Sequence, residues 1–229
     1  MKTIYTIDNG NSHPHVGIFK GDTSEIVPLK DFKTNEDSYR AIISNVGPKL
    51  NFPKEFAEHL LDIKALREDR SFLDMPVNYT NTLGMDRLCN AYFVFKNELD
   101  EGERILLIDA GTFNTYDLVT NNGFAGGFIL PGPRVFLESY GKGENLPTLM
   151  AAELKAEIPL PTSTETAIKD AHNLYQLSVI NTFIEDYFPD RVILTGGYAK
   201  CLEPIVNMPV KIIPHLIHQA LFDIAGRIQ

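Results

Sequence analysis

Two short stretches of this chain repeat one pattern, TIDNGNS at residues 6–12 and LIDAGTF at residues 107–113. In each, a strand-like run ends at an aspartate, a glycine stands two positions later, and a small polar residue follows the glycine. Two independent turns rarely share such a pattern at equivalent places, so the repeat predicts two similar α/β halves. A boundary in the polar run at residues 100–103 gives domains of residues 1–101 and 102–229, with a cleft expected between their strand ends.

The segments around these stretches predict two mixed β-sheets with flanking helices. Strands are expected in short runs rich in β-branched and aromatic residues, at 2–7, 15–19, 25–29, 104–108, 114–119, 124–130, 191–194 and 210–213. Helices are expected at 84–98, at about 162–188 and from 215 onward. Residues 37–44 and 54–67 are also predicted to be partly helical. Thr162 and Glu165 have the spacing of a capping box at the start of the long helix.

The composition argues against several classes of protein. With 44% hydrophobic and 22% charged residues, the 229-residue chain has the composition of an ordinary globular protein. A formal net charge of −9 argues against nonspecific binding to nucleic acid or anionic membranes, which attract basic surfaces. Cys89 and Cys201 lie far apart in the sequence, so neither a disulfide framework nor a zinc site is expected. We therefore expect a cytoplasmic protein without a nucleic-acid or membrane partner.

The first repeat ends in residues that suit a phosphate-binding loop. Backbone N–H groups in such a turn can surround phosphate oxygens, with Gly10 allowing close approach and Asn11 and Ser12 offering small polar side chains. Asp8 at the strand end can position a hydrated Mg²⁺, an ion that keeps several waters and needs few carboxylates. A plain Asp/Asn-Gly turn accounts for the same residues, so this stretch alone leaves both interpretations open.

The second repeat favours the phosphate-binding interpretation, because it places Asp109, Gly111 and Thr112 at the equivalent positions. An aspartate held at the end of a buried strand can act as a general base toward a hydroxyl group. On the following strand, Thr115 and Asp117 face the same side by period-two alternation. The second half therefore carries the candidate catalytic base.

Two further motifs are weaker when taken alone. Thr195-Gly196-Gly197 follows a strand and leaves a flat surface for a base or ribose, although a strand-to-helix turn explains it equally well. Gly84-Met85-Asp86-Arg87 opens a helix, where the arginine offers a planar fork for a carboxylate and the helix N-terminus favours an anion. An exposed Asp/Arg pair at a helix start is the alternative for this motif.

Taken in order, the motifs resemble those of type III pantothenate kinases. The resemblance rests on Asp-x-Gly-Asn-Ser at 8–12, Gly-x-Asp-Arg at 84–87, Asp-x-Gly-Thr with Thr-x-Asp at 109–117, Gly-Gly-x-Ile-x-Pro-Gly at 126–132 and Thr-Gly-Gly at 195–197. It implies membership of the superfamily of sugar kinases, heat-shock ATPases and actin, with its duplicated ribonuclease-H-like (actin-like ATPase) fold. It also implies transfer of a phosphoryl group from ATP to pantothenate, the first step of coenzyme A biosynthesis.

The resemblance implies a role for each motif residue. Asp109 is the implied base for the pantothenate hydroxyl. Thr164 is implied to reach the same substrate from the second subunit of a homodimer. The implied pantothenate-binding residues are Gly84, Asp86 and Arg87. The implied ATP and phosphate residues are Asp8, Gly10, Asn11, Ser12, Gly111, Thr112, Thr195, Gly196 and Gly197.

The resemblance also implies two cations. One is Mg²⁺, which Asp8 would hold through water. The other is a monovalent cation, K⁺ or NH₄⁺, for which Asp117 is the implied ligand.

Some residues depart from the family pattern and leave two other functions open. Phe113 and Asn114 stand where the family has small Ala-Thr residues, and Ser12 replaces a threonine. A non-catalytic regulatory protein on the same fold is one alternative. A phosphotransferase or phosphohydrolase of the same superfamily that acts on another small molecule is the other.

Overall fold

The first sheet has strand β1 at its centre. The computed structural model describes residues 2–10, 12–34, 36, 38–150 and 153–228. The strands of this sheet are β1 (Thr3–Asn9), β2 (His15–Lys20), β3 (Thr23–Pro28), β4 (Tyr39–Asn45) and β5 (Leu60–Asp62). Their spatial order is β3-β2-β1-β4-β5, with β1 antiparallel to β2 and parallel to β4. The same half contains the helices α1 (Lys54–Ala57) and α2 (Met85–Asn97) and a ribbon of β6 (Ser71–Phe72) and β7 (Met75–Pro76).

Strand β4 corrects the helix predicted at residues 37–44. Ala41, Ile42 and Ile43 are all buried, because β4 lies between two parallel neighbours and both of its faces are covered. A continuous apolar run of this kind has no alternation that separates it from a buried helix. The helix predicted at 54–67 shortens to the single turn α1, and strand β5 follows it.

The second half repeats this topology strand for strand. Its strands are β8 (Arg104–Ala110), β9 (Phe113–Thr120), β10 (Gly123–Pro131), β11 (Arg191–Thr195) and β12 (Val210–Ile212), in the order β10-β9-β8-β11-β12. Strand β9 is antiparallel to the central β8 and β11 is parallel to it, just as β2 and β4 relate to β1. The predicted duplication of a mixed α/β sheet is therefore confirmed.

Helices cover the second sheet and build its core. They are α3 (Pro133–Ser139), α4 (Thr164–Tyr187) and α5 (Ala199–Leu202). Ile180 and Phe183 of α4 pack with Leu106 and Ile108 of β8 in one buried apolar cluster. Across the residues that the structure describes, no helix is both long and apolar enough to cross a lipid bilayer.

The C-terminal helix α6 (Leu216–Arg227) belongs to the first of two compact units. One unit comprises Met1–Glu98, Asn122–Phe124 and His215–Gln229, and the other comprises Leu99–Asn121 and Ala125–Pro214. Phe222 of α6 stacks on Phe19 of β2 with ring centroids 4.4 Å apart, and Nδ1 of His218 lies 2.9 Å from Oγ1 of Thr6. Position in the sequence would group α6 with the second half, but these contacts place it on the first sheet.

Candidate active site

The turn after β1 carries the first predicted phosphate loop. Asp8 is half-buried and pairs across the hairpin with His15. The bare Cα of Gly10 faces the Asp8 carboxylate, since a Cβ there would lie 3.8 and 3.9 Å from its two oxygens. Ser12 is also half-buried, whereas the predicted residue Asn11 lies outside the described residues. The turn thus presents a carboxylate over an open glycine surface.

The turn is held mainly by residues that lie outside the repeated stretch at residues 6–12. The backbone N–H of Gly47 donates to the Asn9 carbonyl oxygen at 2.7 Å. The buried Asn9 side chain donates to Asn45 Oδ1 at 2.6 Å and to the Pro48 carbonyl oxygen at 2.7 Å. A Cβ on Gly47 would clash with the Gly10 carbonyl oxygen. The Gly47-Pro48 pair predicts a turn after β4, but this local pattern does not show that the turn supports the Asp8 loop.

The predicted pantothenate residues lie at the start of α2. Gly84 is the N-cap, and a Cβ on it would lie 2.5 Å from Oδ1 of Asp86, so that carboxylate folds back over the cap. Burial raises the pKa of Asp86, and hydrogen bonding and charge from Arg87 partly offset the rise. Arg87 is only 4% exposed, and its guanidinium lies over the rings of Tyr79 and Phe124. The structure brings Gly84, Asp86 and Arg87 together at one helix end.

In the second unit, the loop of Asp109 meets two glycines from other loops. Gly196 has φ +87°, and a Cβ on it would lie 2.5 Å from Oδ1 of Asp109. Gly132 donates its N–H to the Thr112 carbonyl oxygen at 3.0 Å, and a Cβ on it would clash with the Gly111 carbonyl oxygen. Three loops of this unit therefore meet through glycine surfaces that admit no side chain.

The remaining residues near Asp109 differ in burial. Thr195 is the last residue of β11, pairs with Asp109 across the sheet and is buried. Gly197 is open, because no atom of the described residues would lie within 4 Å of a Cβ built on it. Phe113 begins β9 and is 46% exposed, so its ring is not buried in the Asp109 loop.

Asp117 is a buried carboxylate on β9. It is 1% exposed, and its Oδ1 lies where a Cβ on Gly127 of β10 would clash with it. Thr115 pairs with Asp109, and side chains alternate along a strand, so Asp109 and Asp117 share one face of the second sheet. That face therefore carries two carboxylates of this unit.

Thr164 is the first residue of α4 and is exposed. The capping box lies one residue later than predicted: Oγ of the N-cap Ser163 accepts from the Thr166 N–H at 3.2 Å, and Oγ1 of Thr166 accepts from the Ser163 N–H at 3.3 Å. Glu165, predicted to close the box, forms an exposed i,i+4 pair with Lys169 instead. The long helix is confirmed, and only its cap shifts.

A cavity of about 200 Å³ lies in the second unit beside the glycine loops. Its lining includes Pro133, the residue after Gly132, and Tyr198, the residue after Gly197. Cys201 also lines the cavity and is exposed. The space therefore adjoins the loops around Asp109 and opens toward solvent.

A string of buried polar side chains forms one end of this cavity. Oε1 of Gln176 accepts from Asn114 Nδ2 at 3.2 Å and from the Tyr116 hydroxyl at 2.5 Å, while Nε2 of Gln176 donates to Nε2 of His172 at 3.3 Å. Burial lowers the pKa of His172 to about 4, so its imidazole is neutral at physiological pH. The i,i+4 spacing of His172 and Gln176 on α4 is the sequence signal for this group.

Solved structures share the fold. A protein of Campylobacter jejuni, named as a Baf family transcriptional activator, has a TM-score of 0.64 and 20% identity over 97% of this chain and 98% of that one. A protein of Sinorhizobium meliloti, named as a 2-dehydro-3-deoxygalactonokinase, has a TM-score of 0.54 and 13% identity over 98% and 96% of the two chains. At these identities the likeness shows the fold alone.

Sequence comparison gives the family. A family model described as type III pantothenate kinase matches residues 4–186. A type III pantothenate kinase of Phocaeicola vulgatus is 37% identical over 196 residues, which cover 80% of this chain and 77% of that protein. Both matches span most of the chain, and the chain therefore belongs to the type III pantothenate kinase family.

Proposed function

We propose that this chain transfers the γ-phosphoryl group of ATP to the hydroxyl of pantothenate, releasing ADP and 4′-phosphopantothenate. Membership of the family supports the reaction. The observation that carries the proposal is the Asp109 carboxylate near the end of the central strand β8, next to Gly196 and beside a loop that packs on Gly132. A carboxylate fixed beside bare glycine surfaces suits a base that works next to a polyphosphate.

In this proposal Asp109 accepts the hydroxyl proton while the hydroxyl oxygen bonds to the γ-phosphorus and the bond to ADP breaks. Phosphoryl transfer requires mainly positioning and neutralisation of charge, so one base and a set of backbone N–H donors are chemically sufficient. The proposed phosphate contacts come from Gly10, Asn11 and Ser12 and from Gly111 and Thr112.

The Asp8 turn fits the Mg²⁺ that the family implies. Asp8 offers a hard oxygen donor with an open glycine surface beside it, and Oδ1 of the buried Asn9 has no hydrogen-bond partner among the described residues. A single carboxylate suits an ion that keeps several waters and binds phosphate oxygens, and Asp8 would hold it through water. When bound, Mg²⁺ would neutralise and orient the phosphates of ATP.

Asp117 is the proposed ligand for K⁺ or NH₄⁺. Its carboxylate is buried against the backbone of β10 at Gly127 and shares a sheet face with Asp109. A carboxylate offers oxygen donors and a negative charge that attracts a cation, and the resemblance to the family supports a monovalent cation near Asp117.

Pantothenate is proposed to bind at the start of α2. Arg87 would pair with its carboxylate, and Gly84 and Asp86 would line the same helix end. Thr164, exposed at the start of α4, would reach the substrate of the partner subunit in a homodimer. We place this enzyme in the cytoplasm, where ATP and Mg²⁺ are available.

The nucleotide is proposed to lie along Thr195, Gly196 and Gly197. Gly197 is open, and the next residue in the sequence, Tyr198, lines the cavity of the second unit. We propose that the base of ATP lies against this cavity. The buried Asn114 supports the proposal, because its Oδ1 has no hydrogen-bond partner among the described residues and could accept from an N–H group.

A coupled ADP-release assay with pantothenate, Mg²⁺ and K⁺ tests the proposal. The wild-type chain is expected to release ADP only when pantothenate is present, and Asp109→Asn is expected to abolish the release. Asp186→Asn, a change at an exposed aspartate of α4, serves as the matched control and should keep full activity. Equal ADP release by wild type and Asp109→Asn would refute the assignment of the base.

A further inference from the structure

Arg87 is a cation enclosed by aromatic rings. Its Cζ lies 5.5 Å from the ring centroid of Tyr79 and 5.8 Å from that of Phe124. The two rings also contact each other edge to face, with centroids 5.9 Å apart. Both distances to Arg87 lie within the range at which a cation is attracted to the face of an aromatic ring. We call Tyr79, Phe124 and Arg87 the aromatic clamp.

Backbone contacts fix the Phe124 side of the clamp. The Phe124 carbonyl oxygen accepts from the Asn78 N–H at 2.9 Å, and Phe124 forms a parallel bridge with Val77. Gly123 has φ +92°, and a Cβ on it would clash with the Pro76 carbonyl oxygen. The Phe124 ring is fully buried, so it has little freedom to leave Arg87.

A second arginine fixes the Tyr79 side. Nη2 of Arg67 donates to the Tyr79 carbonyl oxygen at 3.2 Å, and Nη1 donates to the Ser71 carbonyl oxygen at 2.9 Å. Tyr79 itself is half-buried, so its ring can be changed without opening the core. Both rings of the clamp are therefore held by contacts that do not involve a substrate.

The clamp has a consequence for substrate binding. A free arginine side chain has many rotamers, and ordering it when a ligand binds costs free energy. Rings that pack against the guanidinium restrict those rotamers, and an ordered guanidinium offers a planar fork of N–H groups for a carboxylate. We infer that Tyr79 and Phe124 are positioning residues, which hold Arg87 ready for the carboxylate of pantothenate. This inference rests on the proposed function, in which Arg87 binds that group.

Steady-state kinetics of ring variants test the inference. Tyr79→Leu and Phe124→Leu each remove one ring and keep an apolar side chain, so we expect KM for pantothenate to rise about 2- to 30-fold. The kcat and the KM for ATP should stay unchanged, because neither residue belongs to the proposed base or phosphate loops. Tyr79→Phe keeps the ring and should restore the wild-type KM. An unchanged KM for pantothenate in both leucine variants would overturn the inference.

Phe56→Leu is the matched control for loss of a buried ring. Phe56 lies in a different cluster of the first unit, where its ring stacks on Tyr39 with centroids 5.4 Å apart. This variant is expected to lower the free energy of unfolding and to leave KM for pantothenate unchanged. A rise in KM equal to that of the clamp variants would assign the effect to general loosening of the unit, and the inference would fail.

Urea unfolding provides a readout that does not depend on activity. In a double-mutant cycle of Arg87→Met and Tyr79→Leu, the clamp predicts that the unfolding equilibrium constants are coupled by about twofold or more. Additive effects in an enzyme that phosphorylates pantothenate would overturn the clamp alone. Coupling in a protein without pantothenate turnover would instead overturn the proposed function, and with it the positioning role.

Discussion

At the scale of single residues, the candidate base Asp109 lies beside glycines, which have no Cβ to displace its carboxylate. Gly111 stands two positions after Asp109, and the Asp109 carboxylate lies against the bare Cα of Gly196, which has φ +87°. A left-handed backbone of this kind strains any residue that carries a Cβ. The sequence identified both residues as candidates, but only the structure shows that Gly196 lies against the Asp109 carboxylate.

Gly196→Ala is therefore expected to displace the Asp109 carboxylate. A Cβ at that position would lie 2.5 Å from Oδ1 of Asp109. A displacement of about 1 Å at a catalytic group typically costs about 100-fold, so we expect a fall in kcat of about that size. Gly226→Ala is the control, because no atom of the described residues would lie within 4 Å of its new methyl group. A Gly196→Ala enzyme with wild-type kcat would contradict this description of the site.

A buried histidine predicts a fall in stability on the acid side of neutrality. Burial, with a smaller effect of His15 and His215, lowers the pKa of His218 to about 3. The unfolded state, with a histidine pKa of about 6.5, then binds more protons than the folded state below that pH. The free energy of unfolding should therefore fall as pH drops from about 6.5, by about 2 kcal/mol at pH 5 from His218 alone.

Urea unfolding at pH 7 and pH 5 measures this effect. His218→Asn removes the titrating group, so the loss of stability between the two pH values should shrink. His59→Gln changes an exposed histidine and should leave the loss as it is in the wild type. An identical pH dependence in wild type and His218→Asn would show that His218 does not titrate as its burial predicts.

At the scale of elements, local sequence patterns predicted most strands but not the partners that decide their burial. The Asp-x-Gly pattern at Asp8 and again at Asp109 predicted the duplicated sheet, because each of these turns follows a central strand. Strand β4 was predicted as a helix, since an apolar run buried on both faces has no strand-like alternation. The supporting Gly47 and the contact of Gly132 with the Asp109 loop depend on approaches between distant segments, which no local pattern encodes.

The close packing of α6 on β2 gives a prediction at this scale. A Cβ on Gly17 would clash with Oγ1 of Thr6 and would lie 3.0 Å from Nδ1 of His218. We expect Gly17→Ala to lower the free energy of unfolding by about 1–3 kcal/mol, as overpacking of a buried site typically does. Chemical denaturation with Gly226→Ala as reference measures the change. Unaltered stability would mean that α6 does not approach β2 this closely.

At the scale of the whole molecule, each unit carries its own set of candidate residues. The first unit holds the Asp8 turn and the start of α2, and the second holds Asp109, Asp117 and the Thr195-Gly196-Gly197 loop. Two copies of one topology thus supply different groups to one proposed reaction. The motif order predicts this proposed division of roles. The cavity beside Tyr198 was not predictable, because β9, α3, α4, α5 and a connecting segment all contribute to its lining.

Thiol labelling tests whether the nucleotide lies at that cavity. Cys201 is exposed and lines the cavity, whereas Cys89 is buried and its burial raises the thiol pKa. A thiol reagent should therefore modify Cys201 and spare Cys89 in the folded protein. Saturating MgATP is expected to slow the modification of Cys201 several-fold, while pantothenate alone should not. If MgATP leaves the labelling rate of Cys201 unchanged, the nucleotide base of ATP does not lie at this cavity.

The identity of the product shows whether this protein phosphorylates pantothenate. Purified wild-type protein is incubated with pantothenate, ATP, Mg²⁺ and K⁺, and the pantothenate pool is then analysed by mass spectrometry. We expect pantothenate to gain one phosphoryl group, in an amount equal to the ADP formed, and Asp109→Asn to produce no phosphorylated pantothenate. Pantothenate recovered unmodified from the wild-type reaction, with or without release of ADP or phosphate, would show that this protein is not a pantothenate kinase.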